Sequence, residues 1–406
     1  MTASRHTTVT PSPHAAAWPL DPKILMLNHG SFGACPRAVL EVQGRYRREM
    51  ERNPIGFFMR QMEPLVNQSR AALAGLLGAD PADVVFVRNV TEAVNGVLRS
   101  LRFQPGDELL VTDHAYNACR NVVEFVARRA GAEVVVAAVP LPVASAGEVV
   151  DRVMARVSGR TRLAVLDHVA SPTAMIFPIE TLIRELDRRG VDTLVDGAHA
   201  PGMVRLELDR IAAAYYTGNC HKWLCAPKGA GFLHVHRDRQ AEIHPAVISH
   251  GYNMRRPERS RLHDEFDWTG TGDPTPWLCV ADAIRFLEGL VDGGIEALMR
   301  KNHELALAGQ QILCDRLGLV PSCPDAMLGS MAAVRLPDEA AGAHGIHPLR
   351  IHPLQASLQE RFAIEAPVYH WPASPSRFVR LSAQAYNSPG QYAKLAEALE
   401  RLLGTD

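Results

Sequence analysis

Between residues 80 and 240, short apolar runs alternate with amphipathic stretches, and this alternation limits the possible folds more than any other feature. The runs fall at 84–87, 108–111, 133–138, 163–166, 193–195 and 231–235, with helical patterns at 91–101, 117–130 and 179–189 among them. Strands that are apolar along their whole length, separated by helices, predict a mostly parallel sheet covered on both faces. Active sites in such sheets gather at the carboxyl ends of the strands. Asp113, Asp167 or His168, and Asp196 each follow the end of a strand candidate. One site built from several turns is therefore expected.

Beyond Pro276 the pattern changes. Helices are predicted at 277–291 and 295–317, the second joining two domains. The rest reads as α+β: strands at 330–336, 363–369 and 378–382, and helices at 353–362 and 389–403. The expected division is a disordered leader over 1–20, a large domain over 21–290, and a linking helix with a small domain over 291–406. The first 13 residues are rich in Thr, His and Pro and carry no apolar signal core. The segment 250–272 is polar with little periodicity.

Bulk composition narrows the function classes. The 43 basic and 44 acidic residues cancel, which gives no electrostatic case for nucleic acid or an anionic membrane surface. No apolar run approaches the roughly 20 residues that span a bilayer. Seven scattered cysteines suit reduced thiols and a cytoplasmic location. Cys220 and Cys225 have no second pair at zinc-ligand spacing, so no metal is expected. No G-x-G-x-x-G follows the first strand and no phosphate-loop lysine motif occurs, which argues against a nucleotide enzyme.

The chemistry lies in two segments. Thr193-Leu194-Val195-Asp196 is an apolar stretch ending in an acid, and Thr217-Gly218-Asn219-Cys220-His221-Lys222-Trp223 carries a His-Lys pair. A lysine that forms a Schiff base with an aldehyde cofactor, and an aspartate that keeps a pyridine nitrogen protonated, are what pyridoxal 5'-phosphate (PLP) chemistry needs.

Further segments extend this pattern: 27–33 (Leu-Asn-His-Gly-Ser-Phe-Gly), 88–95, 113–117, 196–199, 218–222, 270–271 and 380–387. On them the chain resembles the fold-type I PLP enzymes of the class V aminotransferase family, within it the isopenicillin N epimerase-like subgroup. The resemblance covers nearly the whole chain. It implies an α/β PLP-dependent transferase fold with a large, mostly parallel-sheet domain and a smaller α+β C-terminal domain. It also implies a homodimer with a shared active site and an amino-acid substrate.

Residue by residue, the resemblance makes Lys222 the Schiff-base lysine and Asp196 the partner of the pyridine nitrogen. Val90 and Thr91 open a helix whose free N–H groups suit a phosphate. Asn219 and His221 match positions that add donors to that phosphate, and Thr271 matches a threonine that reaches the neighbouring subunit's phosphate. His114 matches an aromatic position that stacks on the ring and moves protons, with Tyr116 a rival for either task. Ser171 falls where relatives often carry an Asn on the phenolic oxygen, and His199 lies near the same oxygen. Arg380 matches the arginine that grips the substrate carboxylate, in keeping with its bidentate fork. Asn28, His29, Gly30 and His370 are expected near the substrate side chain.

These roles imply removal of an α-proton by Lys222, but not the fate of the carbanion. Epimerisation needs a second acid, for which His114, Tyr116 and His370 are candidates. β-Elimination on a cysteine-type substrate stands close behind, and transamination third. Family desulfurases carry a cysteine shortly before the arginine; residues 364–378 have none, so persulfide transfer to a protein is not expected. A non-catalytic binding protein is disfavoured by intact Lys222, Asp196 and Arg380.

Overall fold

The computed structural model describes residues 10–254, 256–339 and 351–404. Its strands are β1 (Leu25–Met26), β2 (Val84–Val87), β3 (Glu108–Thr112), β4 (Glu133–Ala137), β5 (Thr161–Asp167), β6 (Asp192–Gly197), β7 (Tyr215–Asn219), β8 (Gly231–Val235), β9 (Met331–Leu336), β10 (Ile364–Glu365), β11 (Val368–His370) and β12 (Arg377–Ser382). Seven of them form one sheet in the order β2-β8-β7-β6-β5-β3-β4. Only β8 runs against its neighbours. The carboxyl ends of β2, β3, β5, β6 and β7 therefore lie along one edge.

The strands are apolar throughout because both faces are buried. Val84 and Phe86 enter one core, while Val85 and Val87 enter the other. Leu110 and Leu109 divide the same way, as do Leu166 and Val165. Alternating side chains of one strand thus feed two cores, so neither face can be polar.

β11, β12 and β9 form a separate antiparallel sheet in that order. The short β1 pairs in parallel with β10, and the Ser382 N–H donates to the Leu27 carbonyl at 2.9 Å. The segment after β1 is thereby laid against the end of β12. This joint carries Asn28 to Arg380.

Several expectations are corrected. β7 was not foreseen, although it lies mid-sheet. Its Tyr-Tyr-Thr-Gly-Asn sequence shows no apolar periodicity, yet all five residues are buried between β6 and β8. The single strand expected at 363–369 is two, in two different sheets, with Ala366-Pro367 between them; Pro367 has no N–H to continue a ladder. The helix expected at 277–291 breaks at Cys279 into Thr275–Leu278 and Val280–Glu288. Residues 250–272 include the helix Arg261–Phe266. They are held down by Arg70 and Arg259, which both pair with buried Asp267.

The leader is corrected in part. Residues 1–9 lie outside the described residues, but 10–20 are packed. The Ser12 hydroxyl donates to the Ala385 carbonyl. Trp18 is 2% exposed and meets Tyr386 and Phe286 edge-on at 5.3 and 5.6 Å, with its indole N–H on the Ala34 carbonyl at 3.1 Å. An apolar ring seated this way is structural, not a tail. Trp18→Ala is expected to lower stability by about 3–5 kcal/mol, measured by denaturant unfolding. A loss under about 1 kcal/mol would show that the segment is dispensable.

Candidate active site

Lys222 sits in the turn after β7. The His221 N–H and its Nδ1–H both donate to the Ala230 carbonyl, at 3.1 and 2.8 Å. From the other side, the His29 Nε2–H donates to the Lys222 carbonyl at 3.0 Å, while its Nδ1 accepts from the Tyr386 hydroxyl at 2.9 Å. Gly33 has φ +71°, and a Cβ there would stand 2.0 Å from the His221 carbonyl oxygen. Only glycine allows that approach. The N-terminal segment thus clamps the lysine backbone while leaving the side chain free.

The Lys222 side chain keeps part of its surface open but is enclosed by protein. Burial and the Arg380 charge lower its pKa to about 8, against the opposing pull of Asp196 and Cys119. At pH 7 about a tenth is then the free amine, against roughly one in three thousand for an ordinary lysine. Its Nζ stands 3.0 Å from His199 Nε2.

Asp196 ends β6 and is buried. One oxygen accepts the Ala198 N–H at 2.9 Å and the other the Cys119 thiol at 3.1 Å. Burial, then Asp196 itself, pushes the Cys119 thiol well above its usual range, so it stays a donor. Asp167 is Asp196's register partner on β5. Burial and the Asp196 charge push its pKa well above the carboxylate range, so it stays protonated. Asp196 has no salt-bridge partner among the described residues. A buried carboxylate of this kind fits a cationic ring nitrogen.

Arg380 shows the converse. Its side chain is 0% exposed. One terminal nitrogen donates to the Ser171 carbonyl and hydroxyl at 2.6 and 3.2 Å, the other to Asn28 Oδ1 and Ser31 Oγ at 3.2 and 3.0 Å. The guanidinium lies over the Tyr369 ring at 5.2 Å. Every partner is neutral, and the buried Nε has none. No carboxylate pairs with Arg380 among the described residues. A guanidinium held this way is poised for an anionic ligand.

At the opening of the helix Val90–Ser100, Asn89 Oδ1 caps the Glu92 N–H, and the Val90 N–H donates to Asn219 Oδ1 at 3.1 Å. Thr91 follows at the second helical position. His221 spends its Nδ1–H on Ala230, and burial lowers its pKa to about 4. Its Nε2 carries a proton only when an anion draws one there. Gly30 donates its N–H to Ser382 Oγ, and a Cβ on it would come 3.4 Å from Arg380. Thr271 lies on an exposed turn, apart from these groups.

Three expected roles are corrected. His114 is 0% exposed; its Nε2–H donates to the Val139 carbonyl and its Nδ1 accepts the Thr173 hydroxyl, both at 2.8 Å. Its ring packs on Trp371 at 4.3 Å. No nitrogen is left to exchange a proton with a substrate. Tyr116, the rival, is 47% exposed. Its phenol is shifted upward by burial and by Cys119, Tyr369 and Asp196. His370 lies 3.0 Å from Glu339, and Tyr369 takes the place beside Arg380. His29 faces the Lys222 backbone, leaving Asn28 and Gly30 beside Arg380. Ser31, Cys119 and Tyr369 were assigned no role in the sequence reading, and Asp167 entered it only as an acid at a strand end.

Glu339, His352 and His370 hold ligand atoms within 4.8 Å of one another, and each already has a protein partner. His352 Nδ1 accepts the Leu354 N–H, so its Nε2 carries the proton and pairs with Glu339 at 2.6 Å. Arg377 supplies a cation to the same carboxylate at 3.1 Å.

A parallel sheet whose strand ends gather an enclosed lysine, an unpaired aspartate and an unpaired arginine defines a PLP-dependent enzyme. The aminotransferase class-V family model matches residues 32–329, and the chain belongs to that family. It is 38% identical over 400 residues to isopenicillin N epimerase of Streptomyces clavuligerus, covering 95% of this chain and 96% of that one. It is 33% identical to a probable chloroplastic L-cysteine desulfhydrase of Arabidopsis thaliana, covering 94% and 84%. Among solved structures, a C-DES mutant with glycine covalently linked to its PLP superposes with a TM-score of 0.80 at 22% identity, covering 96% and 99%. The cystine C–S lyase C-DES in complex with cysteine persulfide superposes with a TM-score of 0.78 at 21% identity, covering 93% and 97%.

The uncompensated guanidinium should cost stability. Arg380→Met is expected to raise the stability of the PLP-free protein by about 1 kcal/mol in thermal unfolding. A drop instead would mean that its neutral partners already offset its burial.

Proposed function

We propose that the enzyme acts at the α-carbon of an amino acid and, like its epimerase relatives, inverts that centre. The observation that carries the reading is the neutral cage around Arg380, which awaits a carboxylate, next to a lysine whose amine is partly free near neutral pH. Bound PLP supplies an electron sink for the pair left when an α-proton departs.

The residues divide the remaining work. Arg380 orients the substrate through its carboxylate. Asp196 would face the ring nitrogen, and His199 would donate to the phenolic oxygen. Val90, Thr91, Asn219 and His221 receive the phosphate. Lys222 would anchor the cofactor aldehyde, and its amine would take the α-proton. Inversion needs a second proton donor. With His114 and His370 committed elsewhere, Tyr116 fills that role. Asn28, Gly30 and Tyr369 border the substrate. We also propose a cytoplasmic homodimer in which exposed Thr271 completes the partner's phosphate site. Among the described residues, no helix is long and apolar enough to cross a membrane.

β-Elimination is the second reading, favoured by the desulfhydrase relatives. It needs no second acid at the α-carbon, so Tyr116 separates the two. Solvent deuterium should enter Cα of an L-amino acid without release of sulfide or pyruvate. Tyr116→Phe should slow conversion of the L- to the D-enantiomer about 100-fold, with Lys222-dependent exchange at Cα retained. Sulfide from L-cysteine, undiminished in Tyr116→Phe, would establish the lyase instead. An absorbance band absent from Lys222→Ala but present in wild type is expected in either case. Thr271→Ala should weaken PLP retention, read by dialysis; unchanged retention would remove Thr271 from the phosphate site.

A further inference from the structure

Trp223 directly follows Lys222 and has no part in the roles above. Its indole is 1% exposed and packs on His29 at 4.8 Å. An indole N–H donates and cannot accept, and a buried one takes a partner. Here the partner is His199 Nδ1, at 3.4 Å. Nδ1 must therefore be the bare nitrogen. Burial above all holds the His199 ring neutral. A neutral imidazole with a bare Nδ1 carries its proton on Nε2. That nitrogen stands 3.0 Å from Lys222 Nζ, and a hydrogen bond there requires the lysine to offer a lone pair.

We infer that Trp223 is a positioning residue that locks His199 as the Nε2–H tautomer, so that His199 offers a donor to the site and favours the free amine of Lys222 over its ammonium. The opposite tautomer would set two N–H groups head to head, indole against Nδ1–H. It would also turn Nε2 into an acceptor that favours the ammonium. The other groups facing Lys222 cannot replace this control. Asp196 and Cys119 favour the ammonium; Arg380 opposes it by charge alone. The same tautomer serves the loaded enzyme, because Nε2–H is the donor that a phenolic oxygen requires. The inference rests on the PLP reading only for the importance of Lys222.

The test is nitrogen-15 NMR of the full-length protein labelled at histidine, without and with PLP, with the His199 signals assigned by their loss in His199→Asn. The wild type is expected to show a protonated Nε2 and a bare Nδ1. Trp223→Phe should move the tautomer toward Nδ1–H. It should also raise the pH at which Lys222 of the PLP-free protein becomes reactive to trinitrobenzenesulfonate, read on the Lys222 peptide by mass spectrometry. Nδ1–H in the wild type would overturn the inference, and that result needs no variant to fold. So would an unchanged tautomer and Lys222 midpoint in Trp223→Phe. Absence of a Lys222-dependent PLP band would instead count against the functional reading and leave the tautomer result standing.

Discussion

The structure depends on keeping three ionisable groups largely out of water without letting them neutralise one another. Arg380 is buried among neutral partners, Asp196 has only a thiol and a backbone N–H, and Lys222 is enclosed beside a neutral histidine. Withdrawing such groups from water costs several kcal/mol each. The surrounding fold supplies that energy through its two cores. What it gains is a site whose charges are left to a ligand and not to one another, the usual condition for electrostatic preorganisation.

The frame that sustains this arrangement is built from distant parts of the chain. The carboxyl edge of the large sheet presents Asp167, Asp196 and the Lys222 turn. β12 brings Arg380, and the segment after β1 threads between them. His29 and Gly33 grip the lysine turn while Asn28 and Ser31 hold the arginine. One short segment thereby couples the position of the proton-transfer group to that of the carboxylate anchor. Trp18 and Tyr386 pack behind it, which is why the N-terminal stretch is ordered there.

Small donors set the chemical state of each charged group. The Cys119 thiol donates to Asp196, whereas burial and the neighbouring Asp196 push the Asp167 carboxyl toward its protonated form. The Trp223 indole decides which nitrogen of His199 is bare. Each of these groups borders a residue assigned to the chemistry.

Much of this was legible in the residues alone. Strands apolar on both faces, separated by helices, require a buried, mostly parallel sheet, because no other arrangement hides both sides. The order of Asp196, Lys222 and Arg380 follows from motifs whose spacing is local. What escaped was set by contacts distant in sequence. β7 has a polar sequence and becomes a strand only because β6 and β8 lie on either side of it. His114 and His370 look like catalytic residues until Val139, Thr173 and Glu339 are seen to occupy their nitrogens. Tyr369 and His370 are neighbours on one strand, and their alternation about β11 determines that the tyrosine meets Arg380. The sequence by itself determined the sheet, its chemistry and the identities of the three charged groups, since these depend on local pattern and residue type. Only the tertiary structure decided which polar atoms remain free, because that depends on hydrogen bonds closed between residues far apart in the chain.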